Sequence, residues 1–320
     1  VHQWKIAGIG LALGLVLALG AIVPAIWMSQ QPQRAPFVDK STQHVRVQLL
    51  REHRTITLGL ETYVRGVVAA EMPASFQLEA LKAQAIASRT YIVRRFGQHP
   101  SATATATVTD GVQNQAFLTD AKLRRIWGPA AYTARMARIE QAVLATTGQI
   151  LTYDGAPIDA AFFSTSNGYT ENADEYWTTA VPYLRSVRSP WDRDVSPKYV
   201  HTVHLTSRAF TRALDLRPSA LGKATGRLGA PIAYTTGRRV RSLTLDHRTL
   251  AGRTIRERLR LASSAFTITR SASGQITITT HGYGHGIGMS QYGAEGMARK
   301  GYSAEAILTY YYRGVQVEKN

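Results

Sequence analysis

Between His281 and Met289 every second residue is glycine, in the order His281-Gly-Tyr283-Gly-His285-Gly-Ile287-Gly-Met289. Read as a strand, a period of two puts His281, Tyr283, His285, Ile287 and Met289 on one face and the four glycines on the other. A face made of glycine alone buries nothing, and its ordering is entropically costly. Any fold for this chain must therefore bring another backbone, or a ligand, close against that stretch. The two histidines stand four apart, yet a zinc-type His-x-x-x-His needs a helix and a glutamate beside the first histidine. Neither is present, so no metal ligation is expected here. The 320 residues also contain no cysteine. That excludes a disulfide scaffold, thiolate metal sites and a cysteine nucleophile. No metal and no cofactor are expected.

Near its start the chain runs from Ile6 to Met28 without a charge. At ~1.5 Å per residue this stretch reaches ~35 Å, enough to span a bilayer with some tilt. It predicts a transmembrane anchor over residues 1–29 and a proline-containing linker over 30–43, followed by one large domain over 44–320. A cleaved signal peptide ending at Ala18-Leu19-Gly20 is the other reading of the same run. Lys5 set against Arg34 and Lys40 does not decide orientation. A short tail before the run and a large domain after it predict an exported domain.

The export expectation changes what the charge means. There are 38 Lys and Arg against 21 Asp and Glu, a formal +17, which calls for an anionic partner. Nucleic acid is the first such anion to consider, but outside the membrane it is a poor candidate, and none is expected. The charge is also uneven. Residues 198–270 hold fifteen basic and three acidic side chains, a net +12, and read as a basic subdomain inserted in the fold.

The periodicity elsewhere is mixed. Residues 44–50 alternate as a strand, with 55–60 as its partner. Residues 61–70 have helical spacing that Pro73 must stop. A second helix is predicted from a Ser75 cap to about Arg95, with small alanines at 80, 83, 85 and 87. Residues 102–108 and 149–153 read as strands and 131–146 as a helix. Without regular βαβ alternation this pattern predicts an α+β fold.

Glu71 is the most informative acid. At the C-terminal end of a helix its carboxylate meets the negative end of the helix dipole, which favours the protonated form. A general acid working near neutral pH needs that property. An exposed glutamate near a turn is the alternative reading. Lys82 and Arg89, two helical turns apart, share a face and serve either as anion-binding groups or as solvated cations. Ser164, Ser166 and His285 lack the Gly-x-Ser-x-Gly elbow of a serine hydrolase.

Taken in order, several segments resemble the stage II sporulation protein D family. They are Glu61-x-Tyr-Val-Arg-Gly-Val-Val-Ala-Ala-Glu71-Met-Pro73, Glu79-Ala-Leu-Lys82-Ala-Gln84-Ala-x-Ala-x-Arg89-Thr-Tyr91 and Ser164-Thr-Ser166-x-Gly168-Tyr169-Thr170. Val181-Pro-Tyr-Leu184, Ser189-Pro-Trp-Asp192, Gly284-His285-Gly-x-Gly-Met-Ser-Gln291-Tyr-Gly-Ala294 and Tyr310-Tyr-Tyr-Arg-Gly314 complete the set. The resemblance implies a membrane-anchored peptidoglycan lytic transglycosylase that cuts peptide-stripped glycan strands in the space between mother cell and forespore during engulfment. It also implies an amidase as partner. Carried over by position, Glu71 is the catalytic acid and base. Lys82, Arg89, Ser166, Tyr169, His285 and Gln291 would bind substrate. Asn167 departs from the glycine usual at its position, and the zinc site of some relatives, built on Cys and His, has no Cys here. A sister branch of amidase enhancers binds wall without needing to cut it.

Overall fold

The computed structural model describes residues 37–97, 105–111, 114–217, 221–222 and 225–320. The chain divides into two units, Val1–Val38 and Asp39–Asn320, and the second is described here. The predicted anchor over 1–29 lies outside the described residues. Among those described, no helix is long and apolar enough to cross a membrane.

The second unit opens with β1 (His44–Leu49), whose inward residues Val45, Val47 and Leu49 are buried as the alternation predicts. It pairs antiparallel with β2 (Arg54–Gly59) and parallel with β3 (Thr105–Thr109), giving the order β2-β1-β3. Helix α1 (Leu60–Glu71) follows directly from β2, and α2 (Leu78–Gly97) comes after a short turn. The expected Ser75 cap is displaced: Ser75 belongs to the turn, and α2 starts three residues later. Ala80, Ala83, Ala85 and Ala87 are all fully buried. Small side chains at these positions let other elements close around α2, which becomes the central helix. Around it pack α1, α4 (Pro129–Ala145) and the sheet β15-β4-β5, formed by β4 (Gln149–Tyr153), β5 (Ala156–Pro157) and β15 (Gln316–Lys319). The short helix α3 (Asp120–Trp127) precedes α4 and is capped by the Thr119 hydroxyl.

Further along, β6 (Phe162–Phe163) pairs in parallel with β14 (Met289–Ser290); two short helices follow β6, α5 (Ala173–Tyr176) and α6 (Asp192–Val195), and α6 packs against α9 (Gln291–Arg299), the first of a C-terminal pair with α10 (Ala304–Tyr311). The basic stretch folds around a hydrophobic cluster of its own. One sheet has the order β7-β13-β12-β8, from β7 (Val200–Thr206), β8 (Gly226–Arg227), β12 (Phe266–Arg270) and β13 (Gln275–His281). The other has the order β11-β10-β9, from β9 (Ala230–Tyr234), β10 (Val240–Leu245) and β11 (Arg248–Ala251). With α7 (Ser207–Ala213) and α8 (Gly252–Leu259) they enclose Phe210, Leu243, Ile255, Ile268, Ile276 and Ile278. This core uses β13, so the folded element continues past Arg270, where the charge imbalance stops. The whole is α+β, as the mixed periodicity predicts.

The glycine run is not a strand. β13 ends at His281, and Gly282, Gly284, Gly286 and Gly288 have φ of 76°, 116°, 92° and 75°, a region open at low cost only to glycine. The expected close approach is present. A Cβ at Gly288 would lie 2.0 Å from the Ala161 carbonyl oxygen, and one at Gly286 would lie 2.3 Å from Cζ of Arg239. Residues 161–171 lie alongside, through Thr165 N–H to Tyr283 O, Tyr283 N–H to Thr165 O, Glu171 N–H to Gly286 O and Met289 N–H to Ala161 O.

Candidate functional site

Proline fixes the position of Glu71. Pro73 disfavours the helical conformation at the residue before it, and Met72 is extended, with φ −121° and ψ 142°. α1 therefore ends with Glu71 as its last helical residue. Burial pushes the Glu71 carboxyl up from its ordinary value of 4.5, opposed by two hydrogen bonds. Ala116 N–H donates to Oε1 at 2.9 Å, and Nε2 of Gln291 donates to Oε2 at 3.1 Å. Gln291 opens α9, whose Ser290 cap accepts from Gly293 N–H. The site thus joins the C-terminus of one helix to the N-terminus of another, more than two hundred residues apart in sequence.

Glu71 lies in a cleft of about 810 Å³. Trp127, Arg135 and Arg138 line one part of it, and Lys198, Tyr283 and Tyr292 another. The Arg138 guanidinium is held by the carbonyls of Ala74 and Phe76 at 2.8 and 2.7 Å, whereas Arg135 lies 5.6 Å from the Trp127 ring and Lys198 5.1 Å from the Tyr283 ring. Among the described residues Glu71 is the one carboxyl lining this cleft. One protonatable acid, exposed aromatic faces and several cations suit a long, ring-containing anion.

Of the seven residues singled out from the sequence, the structure brings Glu71 and Gln291 together. It does not bring the others to the cleft. Lys82 Nζ pairs with Glu79 at 2.7 Å on the edge of another groove. Arg89 is fully buried, its guanidinium clamped to Glu61 at 2.8 and 2.6 Å and to the Gln149 carbonyl at 3.0 Å. The shared helical face is real, but for Arg89 it is turned into the core. Ser166 is buried too, its backbone N–H on Asp192 Oδ1 and its hydroxyl between Asp192 and the Ser189 carbonyl. Tyr169 stacks under the Arg238 guanidinium at 4.2 Å.

His285 faces a separate pocket. Ile287 N–H donates to its Nδ1 at 3.1 Å, which leaves Nε2 to donate to the Phe162 carbonyl at 3.0 Å. Burial, helped by the nearby charges of Arg256 and Arg239, pushes the imidazole down to about 4. It is a neutral structural hydrogen-bonding group at ordinary pH. Among the described residues no group of three His, Asp or Glu side chains gathers as a metal site.

The basic stretch is also arranged differently from a continuous charged track. Arg239 is buried, 3.8 Å from Glu171, while Arg241 contacts Glu175, Arg248 contacts Asp215 and Arg253 contacts Glu257. Among its described residues only Lys198 lines the Glu71 cleft. The sequence reading missed Trp127, Arg135 and Arg138. One signal was available, since cations three apart in the predicted helix 131–146 share a face.

Comparison with known proteins follows the same geography. A family model described as Stage II sporulation protein matches residues 51–153, which include Glu71 and its Ala116 partner. Stage II sporulation protein D of Bacillus subtilis (strain 168) is 47% identical over 265 residues, covering 81% of this chain and 74% of that protein. The chain belongs to the stage II sporulation protein D family. Its counterpart in Bacillus amyloliquefaciens is 44% identical over 286 residues, 89% of this chain and 81% of the relative. An amidase enhancer of Bacillus subtilis (strain 168) is a more distant relative, 30% identical over 303 residues and matched over 39% of its own length. A role in sporulation comes with the family.

Proposed function

We propose that this family member is a peptidoglycan lytic transglycosylase acting on glycan strands stripped of their stem peptides. The observation that carries the proposal is the half-buried Glu71 carboxyl, the one carboxyl lining the cleft among the described residues, held by two donors with its pKa raised. Glycosidases that use water require a second carboxylate to activate it or to form a covalent intermediate. A lytic transglycosylase does not. Protonated Glu71 gives its proton to the oxygen linking N-acetylmuramic acid to N-acetylglucosamine, and the bond from that oxygen to the muramic C1 breaks. The bond pair leaves with the oxygen, and positive charge develops at C1. Glu71, now ionised, takes the proton of the muramic C6 hydroxyl while that oxygen bonds to C1. The product is a 1,6-anhydro ring, no water is consumed, and Glu71 ends protonated, as it began.

The two donors serve both halves of this cycle. Each carboxyl oxygen has a second lone-pair site, so Ala116 and Gln291 can keep their bonds while a proton occupies the remaining position. They stabilise the ionised intermediate state, and burial favours the protonated starting state. The cations and aromatic rings of the cleft match a polymer whose muramic residues each expose a lactyl carboxylate once the peptides are gone. On this reading the domain works outside the cytoplasmic membrane, held there by the apolar N-terminal run, on wall already trimmed by a partner amidase during engulfment.

A second reading, a wall-binding activator of an amidase that does not cut glycan, draws on the amidase-enhancer relative. Incubating the protein with stripped glycan and looking for anhydromuramic ends by mass spectrometry separates the two. The transglycosylase reading expects such ends with the wild-type chain and none with Glu71→Gln. Their absence from the wild type, or their survival in the variant, would sink it.

A further inference from the structure

The central helix α2 carries an amide into its packed interior. Gln84 has no exposed surface, and neither have its neighbours Leu81, Ala83, Ala85 and Ala87, nor Ser88 one turn further on. A buried amide is costly unless its polar atoms are hydrogen-bonded, and leucine would fill a similar space without that cost. Both ends of the Gln84 amide are bonded. Its Nε2 donates to Ser88 Oγ at 3.0 Å, and its Oε1 accepts from Gln291 Nε2 at 3.4 Å. The same Gln291 nitrogen donates to Glu71 Oε2 at 3.1 Å. Ser88, Gln84, Gln291 and Glu71 thus form one row, in which Gln291 gives an N–H to each side.

That arrangement fixes the plane of the Gln291 amide. The last torsion of a glutamine side chain is broad and nearly two-fold, so an amide bonded only to Glu71 would be free to rotate. A partner on the other N–H holds both the plane and the end that faces the acid. Ionised Glu71 only accepts, and it needs the nitrogen end. Protonated Glu71 is different, because its hydroxyl could equally donate to the amide oxygen. The acid proton would then point at Gln291 and away from a bond to be cleaved. Turning Gln291 over in this way sets its oxygen against Gln84 Oε1, unless Gln84 turns with it. Two amides would have to turn together in a close-packed interior.

We propose that Gln84 is a positioning residue: by holding one N–H of Gln291 it keeps the other aimed at Glu71 Oε2. Gln84 does not itself line the cleft, so it acts through Gln291. The positioning is a property of the folded chain, while its consequence for bond cleavage rests on the transglycosylase reading of Glu71.

The test reads the protonation of Glu71 directly. The 320-residue chain is isotope-labelled at the glutamate carboxyl carbons, and Glu71 is followed by NMR across pH, its signal identified by its loss in Glu71→Gln. Gln84→Leu removes the acceptor and loosens Gln291, and is expected to tilt the Glu71 equilibrium about threefold toward the acid. That is less than the roughly tenfold tilt expected when Gln291→Leu removes the donor altogether. In a chain already carrying Gln291→Leu, Gln84→Leu is expected to add nothing. A merely structural role for Gln84 would not depend on Gln291 in this way. Gln84→Met, whose side chain adapts more readily to the same space, repeats the measurement should the leucine variant fail to fold. An unmoved Glu71 titration, or a tilt that persists without the Gln291 amide, overturns the proposal. Release of anhydromuramic ends is measured alongside, and its alkaline limb should move with the Glu71 titration. Absence of those ends from the wild type counts against the transglycosylase reading alone, since the titration needs no substrate.

Discussion

Replacing Arg89 with methionine separates a substrate-binding arginine from a structural one. Arg89 has no exposed surface and Glu61 only 4%. The guanidinium makes two hydrogen bonds to the Glu61 carboxylate and one to the Gln149 carbonyl. Methionine fills much of the same volume but leaves Glu61 as a buried, uncompensated charge. Breaking such a pair from one side costs about 3–5 kcal/mol, against a total stability of about 5–15 kcal/mol for an ordinary domain. Part of that loss belongs to the orphaned carboxylate and not to the missing cation. The double variant Arg89→Met with Glu61→Leu is therefore expected to recover much of it, since apolar replacement of a whole buried pair is often neutral. Urea unfolding of the four members of the cycle gives the coupling directly. The folded fraction of each variant should keep its affinity for stripped glycan. If Arg89→Met unfolds at the wild-type midpoint and instead loses glycan affinity, Arg89 faces substrate and the burial argument is wrong.

Gln291→Leu removes the donor on Glu71 Oε2, a bond to a charged group worth about 1.5 kcal/mol or more. The protonation equilibrium tilts about tenfold further toward the acid, so the alkaline limb of anhydro-end release should move to higher pH, and a downward shift would contradict the geometry. Glu71→Gln should stabilise the fold at pH 8. The raised folded pKa makes ionisation of Glu71 a cost to the native state above its ordinary value of 4.5, and the gain in thermal midpoint should disappear below about pH 4, where Glu71 is protonated folded or unfolded. Lys198→Gln should weaken binding of stripped glycan about two- to fivefold at low salt, with the difference closing toward 0.5 M salt as the charges are screened. Gly288→Ala would place a methyl 2.0 Å from the Ala161 oxygen at φ 75°. The backbone strain alone costs about 1–3 kcal/mol, which a lowered unfolding midpoint would report.

Local structure was legible where sequence periodicity and backbone chemistry act alone. The alternation of residues 44–49, the Pro73 stop after α1 and the alanine positions of α2 all have causes within a few residues. Glu71 could be found for the same reason, as a carboxyl at the end of a helix that a proline forces to stop. The direction in which a long cation points is a different matter. Lys82 and Arg89 share a helical face by spacing, yet one meets Glu79 at the surface and the other Glu61 in the core, and the acid opposite each is not encoded in that spacing. The partners of Arg239 and Arg241 in the basic stretch are hidden from the sequence for a related reason. Net charge counts side chains over a window, whereas Glu171 and Glu175, which meet Arg239 and Arg241, lie outside it.

The glycine run shows how a wrong conformation and a right physical requirement can come from one observation. Bareness on alternate positions demands a close neighbour whether or not the chain is extended, and residues 161–171 meet that demand through backbone hydrogen bonds. What the alternation could not reveal is that positive φ at each glycine turns the chain between its side-chain-bearing residues. Tyr283 and Gln291 consequently line the Glu71 cleft, while His285, between them in sequence, faces the adjoining pocket. The run also links β13, in the core of the basic subdomain, to α9, which packs on α2. A methyl group at Gly286 or Gly288 would push this link away from Arg239 or from the Ala161 backbone, and a shift at Gly288 lies three residues from the amide that holds Glu71. Gly288→Ala should therefore lower catalysis beyond its effect on stability, by loosening Gln291. Combined with Gln291→Leu it should add little to the catalytic loss, because the contact it disturbs is already gone. Full additivity of the two catalytic effects would mean that the run merely holds the fold together.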